Sequence, residues 1–136
     1  RSYIRICSEL ESLGDSGEAI SRTINNMNAY DRHLSQEHIA SLSKMTGLLS
    51  QAYEDMIYNL EHETSLDDIT NAETDEKAIN TYRNERRDFE LSRIESSGEG
   101  YFEAVFYLNI LDALEKMGDF LLNISQALQG VSRKAE

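Results

Sequence analysis

Proline and tryptophan are absent from this chain of 136 residues, and Cys7 is its only cysteine. Without proline, no position forces a long helix to break, and the segments between turn residues are rich in the helix formers Leu, Ala, Glu and Met. A single cysteine cannot form an internal disulfide, which argues against a disulfide-rich secreted module and favours the reducing cytoplasm. We therefore expect an all-α protein in the cytoplasm.

Basic residues and long apolar runs are also scarce. Acidic residues outnumber basic residues 25 to 13, which gives a formal net charge of −12. Since nucleic acids are bound by clustered Lys and Arg, we expect no nucleic-acid partner. The most apolar stretch starts at Tyr101, is shorter than a bilayer span, and is interrupted by Glu103, Asn109 and Asp112. We therefore expect no direct insertion into a membrane.

The length of the chain predicts one domain. A chain of 136 residues is able to bury a core without disulfides or a bound metal. The chain begins at Arg1 and enters directly into the helix-period pattern SYIRICSEL, with no capping residue before it. We therefore interpret residues 1–136 as a single helical domain and as a fragment of a longer protein.

Four segments carry apolar residues at alternating steps of three and four, the spacing of one face of an amphipathic helix. Ser35 is a candidate N-cap for the second segment, and Ser65 with Asp68 resembles a capping box before the third. The stretch SSGEG breaks the chain before the fourth segment, which we expect Gly130 to close. Short connections imply antiparallel neighbours, so we predict an up-and-down bundle of four long helices. The predicted helices span residues 1–30, 36–62, 67–95 and 101–128.

A six-residue pattern occurs twice, as LESLGD at residues 10–15 and as LEKMGD at residues 114–119. Successive residues of a helix are about 100° apart, so Leu10 and Leu114 fall on the apolar stripes of their helices, while both acids of each copy point away. The acids of one copy are four residues apart and repel each other mildly. The four acids that we expect to face outward are Glu11, Asp15, Glu115 and Asp119.

Both copies place a glycine directly before the second acid, at Gly14 and Gly118. Glycine inside a helix costs about 1 kcal/mol relative to alanine, so we expect another group to approach the backbone closely at these positions. For the first copy, the alternative is that GDSG is a turn that ends the helix. The residues after Gly118 keep helical spacing, which weakens this alternative for the second copy.

The repeated carboxylates predict a cation site. Hard cations are bound by several carboxylate oxygens at once, and a helix presents acids three and four residues apart on one face. Asp112 shares a face with Glu115 and Asp119, and Glu76 on the third segment is a further candidate ligand. The three histidines lie near the ends of the second segment, away from both copies. We therefore expect a partly exposed site of oxygen ligands, for which Mg²⁺ and Mn²⁺ are suitable ions.

Two alternatives to a metal site remain open. The outward acids then serve only solubility, and Glu76 belongs with Arg83 to a salt-bridged face in which the arginines of the third segment pair internally. Nucleophilic, nucleotide-binding and zinc-protease sites lack their minimum motifs in this sequence. A ferritin-like di-metal oxidase would need inward-facing Glu and E-x-x-H pairs. We therefore expect that the protein is not an enzyme.

The repeated pattern resembles the E(D)xxxD signature of the PhoU family, whose members carry it once in each three-helix repeat. The matching stretches are ELESLGDSGEAI, with Glu11 and Asp15, and DALEKMGDFLLNI, with Glu115 and Asp119. The stretch EKAINTYRNERR, which starts at Glu76, resembles the middle helix of such a repeat. The separation of the two copies also resembles the family's repeat length of about 100 residues.

This resemblance implies a PhoU-like bundle that binds iron or zinc at its motif acids and regulates phosphate uptake or signalling. The start in mid-bundle favours the cytosolic tail of a Na/phosphate cotransporter, on the cytoplasmic face of the inner membrane. Its partners would be the membrane part of the transporter and a second copy in a homo-oligomer. The alternatives are a free-standing PhoU-type regulator and a purely structural or interaction bundle without metal. After each motif, where the family often has His, this chain has Ser16 and Phe120.

Overall fold

The computed structural model describes the backbone of residues 2–135 and the side chains of residues 3–63 and 65–130. Residues 2–135 form four α-helices, one short 3₁₀ turn and no strand, so the predicted all-α helical bundle is confirmed. The predicted uncapped start at Arg1 lies outside the described residues. The helices are α1 (Ser2–Ala29), α2 (Gln36–Glu61), α3 (Thr70–Ser97) and α4 (Tyr101–Ala135), and the 3₁₀ turn is Glu63–Ser65.

The start of α2 and the end of α3 agree with the sequence prediction. The Ser35 hydroxyl accepts a hydrogen bond from the His38 backbone N–H at 3.0 Å, and the His38 ring accepts one from the Ser35 N–H at 3.3 Å. In SSGEG, Gly98 and Gly100 have φ angles of 65° and 73°. Residues with a β-carbon are strained in this left-handed region, so the two glycines allow the turn from α3 into α4.

Two predicted boundaries are wrong. The helix α3 begins at Thr70 after the N-cap residue Ile69, which makes no side-chain capping bond. The predicted capping box does not form, because Ser65 ends the 3₁₀ turn and the Asp68 carboxylate accepts a hydrogen bond from the Thr70 N–H at 3.0 Å. Gly130 does not close α4, which continues to Ala135, since the cost of about 1 kcal/mol for one glycine does not by itself end a helix.

The fourth helix lies at the centre of the molecule and packs against α1, α2 and α3. The Glu9–Asn123 and Arg32–Glu103 hydrogen bonds lie at opposite ends of α1 and α4 and place these two helices antiparallel. The helices α2 and α3 also pack against each other. Therefore α2, α3 and α4 form a three-helix core, and α1 packs along one side of α4.

Polar bonds within the core fix the direction of α2. The Ser41 and Tyr107 hydroxyls are 2.5 Å apart near the start of both helices, and Asn59 donates to Ser125 at 2.9 Å nearer their ends. These bonds place α2 parallel to α4. Together with the antiparallel α1–α4 pair, they give the predicted up-and-down order of the chain.

The apolar core is formed mainly by α2, α3 and α4, with Met45, Ile79, Tyr107 and Leu111 fully shielded from solvent. On α1, the prediction that Leu10 lies in the core is wrong, because 48% of its surface is exposed. A helix that packs against one neighbour covers only a narrow strip of its surface. None of the described helices combines the length and apolar character needed to cross a membrane.

Candidate functional site

The acids of the repeated pattern lie in two different environments. On α1, Glu11 and Asp15 are exposed, as predicted. On α4, Glu115 is buried, with 8% of its surface exposed, and Asp119 is half-buried. The prediction that the second pair faces outward is therefore wrong.

The central position of α4 explains this error. Leu114 and Leu121 mark one buried stripe of α4, but α3 covers a further side of the same helix. There, a β-carbon at Gly118 would lie 3.0 Å from Ile79 Cδ1 and 3.2 Å from Ile79 Cγ2. The close approach predicted at Gly118 is therefore confirmed. At Gly14, by contrast, no described atom outside its own stretch of helix lies within 4 Å of the position of a β-carbon. The close approach predicted at Gly14 is therefore wrong.

Three carboxyl groups meet where α3 packs against α4, and we call Glu76, Glu115 and Asp119 the acid cluster. The carboxyl group of Asp119 is within hydrogen-bonding reach of both Glu76 and Glu115. The side-chain amide of Asn80 donates a further hydrogen bond to Glu76. Because an ionised carboxylate has no donor, two carboxyl groups hydrogen-bond only when one of them carries a proton.

Positive charge reaches this site from Arg83 on α3. Its Nη1 lies 3.3 Å from Asp112 Oδ1 and 3.9 Å from Glu115 Oε2. No described residue forms an ion pair with Glu76 or Asp119, so the site keeps an excess of negative charge. Thus the salt-bridged face expected on α3 forms at Arg83, whereas Glu76 meets another acid.

Burial and like charge raise the pKa of two carboxyl groups in the acid cluster. For Glu115, burial is the largest cause and Asp119 adds to it, while Arg83 opposes them. For Glu76, burial again raises the pKa most, Asp119 adds to it, and the Asn80 hydrogen bond opposes. These carboxyl groups therefore retain protons more readily than exposed ones do.

A second carboxyl pair joins α2 to α3. Asp75 neighbours Asp55, and burial together with this neighbour raises the pKa of Asp75 to about 7. Asp75 Oδ2 is buried and has no hydrogen-bond partner among the described residues. Sequence analysis missed this pair, since the two residues are on different helices and no spacing within one helix indicates their contact.

A buried polar network connects α2 to the other two core helices. His38 Nε2 lies 2.8 Å from Glu90 Oε1, and Arg93 Nη2 lies 2.7 Å from the same oxygen. Burial opposes ionisation of Glu90, but the hydrogen bonds from Arg93 and His38 hold its pKa below the usual value. The His38 ring stacks on Tyr107, with ring centroids 4.3 Å apart. Sequence analysis did not identify this network, since its residues are on three different helices.

Metal binding by the predicted ligands stays a prediction. In the part of the chain that the structure describes, no group of three or more His, Cys, Asp or Glu side chains is arranged to hold a metal ion. Asp15 and Asp112 line one cleft of about 510 Å³ between α1 and α4, but Lys116 lines it as well. Glu11 is exposed and does not line this cleft. The first copy of the pattern is therefore separate from the acid cluster.

Comparison of the chain with protein-family models, curated proteins and solved structures finds no match. The fold therefore defines the class of the protein, an all-α helical bundle. Membership in the PhoU family stays a prediction that rests on the two copies of the pattern.

Proposed function

We propose that this chain is a non-catalytic regulatory domain that responds to neutralisation of the acid cluster. The observation that carries the proposal is the contact of Glu76, Glu115 and Asp119 across α3 and α4. Like charges held together in a partly buried contact destabilise the folded state, and a proton or another cation removes this cost. Neutralisation then strengthens the packing of α3 on α4, and a partner protein can respond to that change.

The resemblance to the PhoU signature supports a role in phosphate transport. In this setting, the domain is the cytosolic tail of a Na/phosphate cotransporter, and the membrane part of that transporter is its partner. The alternative setting is a free-standing regulator of phosphate uptake. The flanking coding sequence separates the two, because upstream membrane spans support the tail and their absence supports the free regulator.

Asp119→Asn tests the proposal directly, because Asp119 contacts both other members of the acid cluster. The substitution removes their shared neighbouring charge and leaves the ion pairs of Arg83 in place. We expect the free energy of unfolding at pH 8 to rise by about 1 kcal/mol, since one pKa unit corresponds to about 1.4 kcal/mol and the site is partly exposed. The gain should be smaller at pH 5, where the wild-type cluster binds protons. Urea unfolding at both pH values measures the difference.

The matched control is Asp15→Asn, at the same place in the exposed first copy. We expect it to change the free energy of unfolding by less than about 0.5 kcal/mol. The proposal is wrong if the Asp119 and Asp15 variants behave alike at both pH values.

Metal regulation is a second candidate, favoured by the position of both α4 motif acids beside Glu76. Elemental analysis and thermal unfolding with Mg²⁺, Mn²⁺, Fe²⁺, Zn²⁺ and Ni²⁺ test it on the same proteins. A metal bound at the cluster raises the melting temperature of the wild type and of Asp15→Asn, but not that of Asp119→Asn. An equal response of all three proteins contradicts this candidate.

A further inference from the structure

An open apolar groove runs between α1 and α2. Both helices pack against α4, but they make hardly any contact with each other over the described residues. Leu13, Leu49, Met117, Leu121 and Tyr53 line the groove, which has a volume of about 520 Å³. The acid cluster lies where α3 packs against α4, so the groove is a separate feature.

Exposed apolar side chains continue this groove along both helices. On α2, Ile39, Tyr53 and Leu60 are 57%, 53% and 40% exposed, and their positions differ by multiples of seven. On α1, Leu10 and Ile24 are 48% and 40% exposed, and they too differ by a multiple of seven. Seven-residue spacing aligns side chains along the seam where one helix meets another. The exposed apolar residues of α1 and those of α2 therefore have the spacing of a helix-packing surface, but no described helix packs on them.

At Gly14 and Gly17, beside the groove, no side chain covers the backbone of α1. Apart from their own stretch of helix, no described atom lies within 4 Å of the position of a β-carbon at either residue. Each glycine costs the helix about 1 kcal/mol, and no contact within the described chain accounts for it, in contrast to Gly118. A helix lying in the groove would approach the α1 backbone at these two positions.

The border of the groove on α2 is acidic. Glu54 lines it, and no Lys or Arg is among the described residues that do. Glu61 lies seven residues further along α2 and is exposed. A second copy of the chain, with its own net charge of −12, would place like charges within the screening length of about 8–10 Å.

We propose that the groove between α1 and α2 binds an amphipathic helix of a partner protein, with an apolar face for the groove and Lys or Arg along its flanks. The distance from Leu10 to Ile24 is roughly 21 Å at 1.5 Å per residue, which corresponds to about four helical turns. The apolar face fills the space above Leu13, Met117 and Leu121. A basic flank pairs with the acidic border on α2, which selects this partner over a second copy.

Three synthetic peptides of about 16 residues test the proposal with the whole chain. The first is an amphipathic Leu/Lys helix, the second has Glu in place of every Lys, and the third is a scrambled Leu/Lys sequence. We expect the first peptide to bind at least tenfold more tightly than the others by fluorescence anisotropy, and to bind more weakly as salt is added. In NMR spectra of the protein, the amide signals that shift when this peptide binds should belong to α1 and α2.

Gly17→Gln places a long side chain one helical turn from Leu13, beside the groove. The fold should tolerate it, because the surroundings of Gly17 are open and glutamine is a better helix former than glycine. We expect the variant to remain folded and to lose at least tenfold in affinity for the Leu/Lys peptide. Thr81→Gln, at an exposed position on α3, is the control and should bind as the wild type does. Glu54→Lys should reduce the preference for the Leu/Lys peptide over the Leu/Glu peptide.

Several results would overturn the proposal. One is the absence of binding by the Leu/Lys peptide, and another is equal binding of the Lys and Glu peptides. A third is unchanged affinity in Gly17→Gln. A fourth is a concentration-dependent dimer in sedimentation experiments that Gly17→Gln abolishes, which would assign the groove to a second copy.

Discussion

At the scale of single residues, the repeated pattern uses the same glycine for two different purposes. Gly118 allows α3 to approach α4, since Ile79 is fully buried against it. Gly14 has open space at the corresponding position on α1. Identical sequence positions therefore have opposite packing environments, and substitution by alanine should separate them.

We expect Gly14→Ala to raise the free energy of unfolding by about 1 kcal/mol, because alanine favours the helix and meets no neighbour. We expect Gly118→Ala to give no gain or a loss of about 1 kcal/mol, because the added β-carbon presses on Ile79 in a closely packed contact. Chemical denaturation of both variants measures the difference. Equal stabilisation by the two substitutions would show that the contact at Gly118 imposes no constraint.

At the scale of helices, the α2–α3 contact contains two kinds of carboxyl group, the buried one of Glu90 and the half-buried one of Asp75. Glu90 is compensated, because Arg93 and His38 both bond to it. Asp75 is not compensated, because burial and the neighbouring carboxyl group of Asp55 both raise its pKa. The first site stabilises the ionised carboxylate and the second stabilises the protonated acid, so the two respond oppositely to pH.

The Asp75 pair should make stability fall as the pH rises from about 4 to about 7. The pKa of Asp75 is raised from 3.8 to about 7 in the folded state, so over this range the folded protein holds a proton that the unfolded chain has lost. Asp55→Asn removes the neighbouring charge and supplies a donor amide. We expect it to raise the free energy of unfolding at pH 8 by about 1–2 kcal/mol, less than the full shift because burial still disfavours the charge.

Urea unfolding of wild type and Asp55→Asn between pH 4 and pH 8 checks this expectation. The control is Asp67→Asn, at an exposed position before α3, which should follow the wild-type pH dependence. Parallel curves for the wild type and Asp55→Asn would contradict a shared proton between α2 and α3.

At the scale of the whole molecule, sequence patterns predict the helices better than their arrangement. The lack of proline, the Ser35 cap and the SSGEG break predict four helices and two of their three connections. The buried state of Glu115 and the exposure of Leu10 do not follow from the same patterns. Periodicity identifies one apolar face of each helix, whereas the number of neighbours that cover a helix depends on contacts between distant parts of the chain.

The same arrangement predicts that α1 is less stable than α2 and α4. Only three of the described side chains of α1 are buried, those of Ile6, Ser16 and Met27. The helix packs mainly against α4. Elements with few buried contacts open at a lower free energy than the rest of a protein. We therefore expect native-state hydrogen exchange to show weaker protection of α1 amides than of α2 and α4 amides. Equal protection of α1 and α4 would mean that the bundle opens as one unit.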